Sequence, residues 1–84
     1  MTPEEIRAML IEILGEIAPE ADLSRLDPKA DLREELDIDS LDFLNAVIAL
    51  HERLKVDIPE RDYRMLSTLD GAIRYLVKKT MPKA

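Results

Sequence analysis

The segment Leu36-Asp37-Ile38-Asp39-Ser40-Leu41-Asp42 joins an acidic stretch of the chain to a run of apolar residues with helical spacing. Asp39 precedes this run, where a carboxylate can accept a free N–H group of a first helical turn. Asp42, three residues on, gives the segment the outline of a capping box. The pattern predicts a helix over about residues 40–55, with one buried apolar face: Leu41, Leu44, Val47, Ile48 and Leu54.

This arrangement places the hydroxyl of Ser40 on the first turn of a helix, where we expect it to be exposed. Free N–H groups and the positive end of the helix dipole lie beside such a hydroxyl. A phosphate ester on Ser40 would therefore lie in a favourable field, as anions do at helix N-termini. The alternative is that Ser40 only helps to cap the helix, because a short Asp-Ser-Leu motif on its own matches by chance.

Asp39-Ser40-Leu41 resembles the attachment motif of acyl carrier proteins, whose serine carries 4′-phosphopantetheine as a phosphodiester. The similarity continues without a gap through a further set of residues: Leu54, Val56, Asp57, Ile58, Pro59, Leu66, Ser67, Thr68, Leu69, Ala72, Ile73, Tyr75 and Leu76. The resemblance implies an all-α fold, namely a small four-helix bundle with a long first loop and a short third helix. It also implies that the arm, donated by coenzyme A, is attached to Ser40.

The function that the resemblance implies is that of a carrier and not of an enzyme. The arm would hold an acyl group as a thioester and present it to enzymes of fatty acid or lipid biosynthesis. The partners would be a phosphopantetheinyl transferase and acyl-loading and acyl-using enzymes with basic docking surfaces. The attached acyl chain would insert between the helices, away from water. Partner recognition would fall to the second helix and its cap, at six residues: Asp39, Leu41, Asp42, Leu44, Ile48 and Glu52.

The same helix departs from the family pattern at three positions. Asn45, His51 and Arg53 stand where typical members carry glutamate, whereas Glu52 is retained. The departure favours a dedicated set of partner enzymes over the standard fatty-acid enzymes. His51 is the only histidine, and no catalytic partner lies near it in the sequence, so we interpret it as a surface residue.

Other functions stay open at this stage. The cargo can be an aminoacyl or polyketide unit, although Asp39 before the serine fits the acyl carrier motif better than the histidine or glycine-rich motif of peptidyl carriers. The domain can also be an unmodified interaction module of the same fold, in which Ser40 is only a cap. A small hydrolase would need a base paired with Ser40, and the sequence shows no such pair.

Composition and charge set further bounds. The 84 residues, 46% of them apolar, predict one domain over residues 1–84, and the absence of cysteine excludes disulfides and thiolate metal sites. Asp27, Lys29 and Asp31 alternate as in a calcium loop, but lysine at a ligand position and Leu32 at the glycine position exclude an EF-hand. No apolar run is long enough to span a membrane and no secretory signal is visible, so we expect a cytoplasmic protein, and a monomer.

The net charge of −6 is concentrated before and around Ser40. Between residues 20 and 42 nine acidic residues face three basic ones, 3 − 9 = −6, while the remainder carries nine of each. Such a patch attracts basic partner surfaces and repels nucleic acid. A solvated loop is the simpler alternative for this charge run.

The remaining elements follow from caps and periodicity. Thr2, Pro3 and Glu5 predict a helix start with a capping box, and Pro19 predicts its end near Ala18. The core-facing residues of this helix are expected to be Ile6, Met9, Leu10, Ile13, Leu14 and Ile17.

Residues 19–38 show no clear periodicity and predict a long loop, pinned to the bundle by Leu23, Leu26, Leu32 and Leu36. A short helix is expected over residues 60–65, with Tyr63 and Leu66 facing inward. Ser67-Thr68-Leu69-Asp70 predicts the cap of a last helix that ends before Pro82. Its buried residues are expected to be Leu69, Ala72, Ile73, Leu76 and Val77.

Overall fold

The computed structural model describes residues 1–80 of the chain. Helix α1 spans Pro3–Ile17 and begins with the predicted capping box. The N–H of Glu5 donates to the Thr2 hydroxyl at 3.2 Å, and the N–H of Thr2 donates to the Glu5 carboxylate at 2.9 Å. This second bond lowers the pKa of the Glu5 carboxyl. Ala18 caps the end of the helix, immediately before Pro19.

Three α-helices follow: α2 (Leu32–Leu36), α3 (Ser40–Leu54) and α4 (Leu69–Thr80). Both α3 and α4 pack against α1, and a 3₁₀ helix at Glu60–Leu66 packs against α4. The predicted stripe of α1 lies in the core, with Ile17 partly buried at its end. The core residues are Ile6, Met9, Leu10, Ile13, Leu14, Leu32, Leu36, Ala46, Val47, Leu50, Leu66, Leu69, Ala72 and Leu76.

Helix α3 turns a different face to the core from the one predicted. Leu41, Leu44 and Ile48 are 65%, 38% and 46% exposed, so their predicted burial was wrong. Val47 is buried as expected and Leu54 is partly buried, and the rest of the buried face consists of Ala46 and Leu50. Apolar residues cover more than half of this helix's circumference, and their spacing alone does not show which part of that surface meets α1.

The predicted long loop between α1 and α3 contains two short helices, which corrects the expectation of an irregular connection. A 3₁₀ turn forms at Leu23–Arg25, and α2 begins where the Asp31 carboxylate accepts the N–H of Arg33 at 2.9 Å. Leu32 and Leu36 are buried as predicted, and Leu23 and Leu26 pack on the core from outside. A five-residue helix is too short to leave a periodic pattern in the sequence.

Backbone hydrogen bonds fix this connection to the start of α4. The N–H of Leu32 donates to the carbonyl of Ser67 at 2.7 Å, and the N–H of Asp70 donates to the carbonyl of Pro28 at 3.0 Å. These two bonds hold α2 beside the end of the 3₁₀ helix. The side chains of α2 are therefore placed next to the N-terminus of α3.

The C-terminal part matches the prediction with one shift. The 3₁₀ helix Glu60–Leu66 is the predicted short third helix, with Leu66 buried and Tyr63 partly buried. The cap of α4 is Thr68 and not Ser67, because the Thr68 hydroxyl accepts the N–H of Gly71 at 3.0 Å. Leu69, Ala72 and Leu76 are buried, whereas Ile73 and Val77 are only partly buried. The predicted end at Pro82 lies outside the described residues.

The predicted all-α fold is confirmed. Residues 1–80 contain no strand, only one isolated bridge between Asp31 and Thr68. In the same part of the chain no helix combines the length and the hydrophobicity that crossing a bilayer requires.

Candidate functional site

Ser40 is the first residue of α3 and is exposed. The Asp39 carboxylate caps the helix by accepting the N–H of Asp42 at 2.9 Å. The reciprocal bond of a capping box does not form within residues 1–80, because aspartate is one methylene shorter than glutamate. The N–H groups of Ser40 and Leu41 have no acceptor in this described part, so they face outward beside the Ser40 hydroxyl.

Arg33 of α2 is the side chain that contacts the Ser40 hydroxyl. Its Nη1 donates to Ser40 Oγ at 3.2 Å, and its Cζ lies 6.0 Å from the centre of the Phe43 ring. The backbone of Arg33 is also fixed, since its N–H bonds Asp31 and its carbonyl accepts the N–H of Ile38 at 3.1 Å. Sequence analysis missed Arg33, because the helix that brings it to Ser40 left no periodic signal.

A left-handed residue makes the turn from α2 into α3. Asp37 has φ = 53° and ψ = 47° and caps the end of α2 by donating its N–H to the Arg33 carbonyl. Aspartate is among the residues that tolerate this conformation. The turn leaves only Asp37, Ile38 and Asp39 between the two helices, which is why Arg33 and Ser40 are close.

Ser40 lies on the rim of two surface clefts of different character. One has a volume of about 610 Å³ and is lined by two aromatic rings, two arginines and two carboxylates: Phe43, Tyr63, Arg33, Arg64, Asp31 and Glu60. Its aromatic wall is ordered by an edge-to-face contact of Phe43 and Tyr63, with ring centres 6.3 Å apart. The other, of about 460 Å³, is lined by Arg33 and by four carboxylates: Asp31, Glu34, Asp37 and Asp39.

The predicted recognition residues form one exposed surface that begins at the serine. Leu41, Leu44 and Ile48 are separated by three and four residues and so share a face of α3. Glu52 continues this face and is exposed, Asp39 is exposed at the cap, and Asp42 is partly buried. This surface, residues 41, 44, 48 and 52, is called the α3 face below.

The three residues that depart from the family pattern are also exposed. His51 has Nδ1 at 2.7 Å from the carbonyl oxygen of Val56, at the C-terminal end of α3. Arg53 Nη1 lies 3.1 Å from the Glu12 carboxylate and joins α3 to α1. The interpretation of His51 as a surface residue is confirmed, and within residues 1–80 no cluster of side chains is suited to a metal ion.

Several acids of the charged segment have local structural roles that the charge count did not reveal. Asp22, Asp27 and Asp31 each accept the backbone N–H of the residue two positions later. The N–H of Asp27 in turn donates to Glu35 at 3.1 Å. These carboxylates stabilise turns and remain exposed or partly exposed, so they can serve both structure and charge.

Comparison with known proteins decides the family. The family model for a phosphopantetheine attachment site matches residues 4–76. An acyl carrier protein of Acidothermus cellulolyticus is 32% identical over 83 residues, which is 96% of this chain and 95% of the relative. This chain belongs to the acyl carrier protein family.

Further similarities agree with this assignment. The acyl carrier protein of Rubrobacter xylanophilus is 32% identical over 93% of this carrier and 95% of its own length. The solution structure of a proposed acyl carrier protein from Anaplasma phagocytophilum superposes with a TM-score of 0.83 at 28% identity, covering 99% of this chain and 97% of that one.

Family membership settles the general role of the chain. Members carry an acyl group on a phosphopantetheine arm and are carriers, not enzymes. Phosphopantetheine is thus the cofactor of this carrier, and it acts with a phosphopantetheinyl transferase and with acyl-handling enzymes.

Proposed function

We propose that Ser40 is the residue that carries the phosphopantetheine arm. The observation that supports this most is the exposure of its hydroxyl at the start of α3, on the rim of a cleft that also contains Arg33 and Arg64. A phosphodiester is anionic, and guanidinium groups and outward N–H groups of a helix start are suited to it. The surroundings of Ser40 therefore fit the cofactor.

Loading of Ser40 requires an external base. In the attachment reaction the Ser40 oxygen forms a new P–O bond, the phosphoanhydride bond of coenzyme A breaks, and adenosine 3′,5′-bisphosphate leaves. The hydroxyl proton must go to a base, and the side chain that contacts Ser40 is a guanidinium, which cannot accept a proton. We assign the base to the transferase.

The residues around Ser40 then help to present the acyl group to partner enzymes. When bound, the arm supplies a terminal thiol that holds the acyl group as a thioester. Tethering raises the effective concentration of that group at a docked enzyme. The acidic segment steers basic partner surfaces towards Ser40, and the α3 face provides apolar contacts beside it.

The core of this conformation has little room for an acyl chain. A void of about 20 Å³ lies between the helices, lined by Leu10, Leu14, Phe43, Val47 and other core residues. About 10–15 Å³ of such a void holds one water molecule, so this void has room for about one water and is far too small for an acyl chain. Insertion of an acyl chain, as predicted, requires the helices to move apart.

We propose fatty acid or lipid biosynthesis as the pathway, with a dedicated set of partner enzymes. Asn45 leaves the middle of α3 uncharged, and Arg53 adds a positive charge near its end, where it pairs with Glu12. Partners that select an acidic helix would bind this one less well. Equal turnover of this carrier and a typical one by general fatty-acid synthesis enzymes, measured side by side, would exclude the dedicated set.

The cytoplasmic location and the monomeric state remain proposals. The monomer rests on the carboxylates that border the exposed apolar residues of α3: Asp39, Asp42 and Glu52. Light scattering during gel filtration tests the monomer, and a dimer mass would contradict it.

Intact mass spectrometry tests the attachment site. The chain is incubated with coenzyme A and a broad-specificity phosphopantetheinyl transferase. We expect one phosphopantetheinyl group on the wild type and none on Ser40→Ala. The chain has two other serines, and the matched controls Ser24→Ala and Ser67→Ala should be modified like the wild type.

Two results would contradict the proposal. No addition to the folded wild type would favour the unmodified interaction module. Addition that persists in Ser40→Ala would place the arm on another residue. Circular dichroism of each variant ensures that a missing addition does not reflect unfolding.

A further inference from the structure

Arg33 lies inside the most acidic segment of the chain but forms no ion pair with a carboxylate in residues 1–80. Its guanidinium donates instead to Ser40 Oγ at 3.2 Å and lies over the Phe43 ring. By contrast, Arg25 of the same segment approaches the Asp22 carboxylate at 3.6 Å. The guanidinium of Arg33 thus contacts the Ser40 hydroxyl and not the neighbouring carboxylates.

We propose that Arg33 binds the phosphodiester once the arm is attached, and so positions the arm. This inference rests on the proposed function, in which Ser40 is the attachment residue. It assigns to Arg33 a role in holding the phosphate group and none in forming the ester bond.

The chemistry of the ester favours a move of the Arg33 guanidinium from the serine oxygen to the phosphate oxygens. After attachment the Ser40 oxygen becomes a bridging ester oxygen, and the negative charge lies on the two non-bridging oxygens bonded to the same phosphorus. A guanidinium that already reaches the bridging atom needs only a small side-chain rotation to reach these oxygens. Arginine has five N–H donors in a planar fork, and its bonds to phosphate are charge-assisted.

The acidic surroundings make such a cation necessary. The phosphodiester brings a negative charge next to Asp37 and Asp39, and both carboxylates are exposed at the acidic cleft. Arg33 is the cation that contacts this position, and the outward N–H groups of Ser40 and Leu41 add a weaker attraction. Without Arg33, no side-chain cation of residues 1–80 would contact the Ser40 oxygen beside these carboxylates.

The location of Arg33 also defines where the phosphate would lie. Its backbone is held by hydrogen bonds at the start and the end of α2, and its Cζ lies 6.0 Å from the centre of the Phe43 ring. A phosphate held there lies at the mouth of the larger cleft, which Tyr63 and Arg64 also line. Arg33 and Ser40 also line the acidic cleft, so the contact places the phosphate where the two clefts meet.

Phosphorus-31 NMR of the loaded carrier tests the proposal. Wild type, Arg33→Gln and Arg33→Lys are loaded, and intact mass confirms one group on each. We expect the phosphodiester resonance of Arg33→Gln to shift and narrow towards that of the same loaded carrier unfolded in urea, with Arg33→Lys between the wild type and Arg33→Gln. High salt should reduce the difference from the wild type, because the contact is electrostatic and exposed.

The matched control is Arg25→Gln, which removes the same charge from the same segment at a side chain that is 87% exposed. Its resonance should equal that of the wild type. The proposal fails if Arg33→Gln leaves the resonance unchanged, or if Arg25→Gln changes it as much. Absence of any added mass on the wild type would instead refute the attachment at Ser40, so the two failures are distinguishable.

Discussion

The two glycines of the chain both lie within helices, and we expect alanine to have opposite effects at them. Glycine in a helix interior costs about 1 kcal/mol relative to alanine, so the default effect of Gly→Ala is stabilising. A β-carbon at Gly15 would lie 3.4 Å from Leu23 Cδ1, an ordinary contact with a flexible side chain. Gly15→Ala should therefore stabilise the fold by up to about 1 kcal/mol.

At Gly71 the same β-carbon would meet two fixed atoms. It would lie 2.8 Å from the carbonyl oxygen of Met65 and 2.9 Å from Thr68 Oγ1. Met65 belongs to the 3₁₀ helix, and Thr68 Oγ1 is held by its bond to the N–H of Gly71, so neither atom moves easily. Overpacking of this kind costs about 1–3 kcal/mol, which outweighs the gain in helix propensity and leaves a net loss of about 1 kcal/mol.

Thermal unfolding followed by circular dichroism measures both effects. A change of 1 kcal/mol shifts the Tm of a domain of this size by about 4–8 °C. We expect Tm to rise for Gly15→Ala and to fall for Gly71→Ala. An increase in Tm for both variants would refute the steric argument, because it would mean that the 3₁₀ helix moves away from the new β-carbon at no cost in free energy.

Two further predictions concern other parts of the fold. Tyr75 is partly buried, and its hydroxyl donates to the Asp62 carboxylate at 2.7 Å. Burial and this hydrogen bond raise the pKa of Tyr75 to about 12, so the neutral form is favoured in the folded state. The contribution of the neutral hydroxyl to the free energy of unfolding is complete below pH 10 and is lost as the pH rises towards 12, by at most about 1.4 kcal/mol per pH unit. Urea unfolding at pH 9 and pH 11 should therefore show a larger loss of unfolding free energy for the wild type than for Tyr75→Phe. Lys55 caps the C-terminal end of α3 with φ = 57°, a conformation that is unfavourable for residues with a β-carbon. Lys55→Gly should therefore raise the free energy of unfolding by about 1 kcal/mol in the same assay. Asp37→Gly, at φ = 53°, should gain less, because aspartate tolerates this region better than lysine, and an equal or larger gain would contradict that explanation.

Caps and long periodic runs allowed the main helices to be predicted from sequence. Thr2, Pro3 and Pro19 marked the ends of α1, and Asp39 marked the start of α3, because each acts on backbone groups within a few residues of itself. Tertiary contacts decided what local signals could not. The buried face of α3 depends on where α1 lies, and Leu41, Leu44 and Ile48 were assigned to the wrong side for that reason.

The candidate site was only half visible in the sequence. Ser40 and Asp39 are neighbours in the chain, and their relation follows from helix-start geometry alone. Arg33 reaches Ser40 only because α2 folds, and α2 is held by bonds to Ser67 and by burial of Leu32 and Leu36. Such a helix depends on contacts distant in sequence, so the arginine could not be assigned to the serine beforehand.

Charge acts at two distances in this carrier, and the net charge describes only the larger one. Beyond about 8–10 Å, the screening length at moderate salt, an approaching enzyme responds to the summed charge of residues 20–42, which is −6. At contact distance the Ser40 hydroxyl meets a guanidinium, of opposite sign to that sum. The same segment can therefore attract basic partners and still accommodate an anionic phosphodiester, because one arginine is placed where the phosphate would lie.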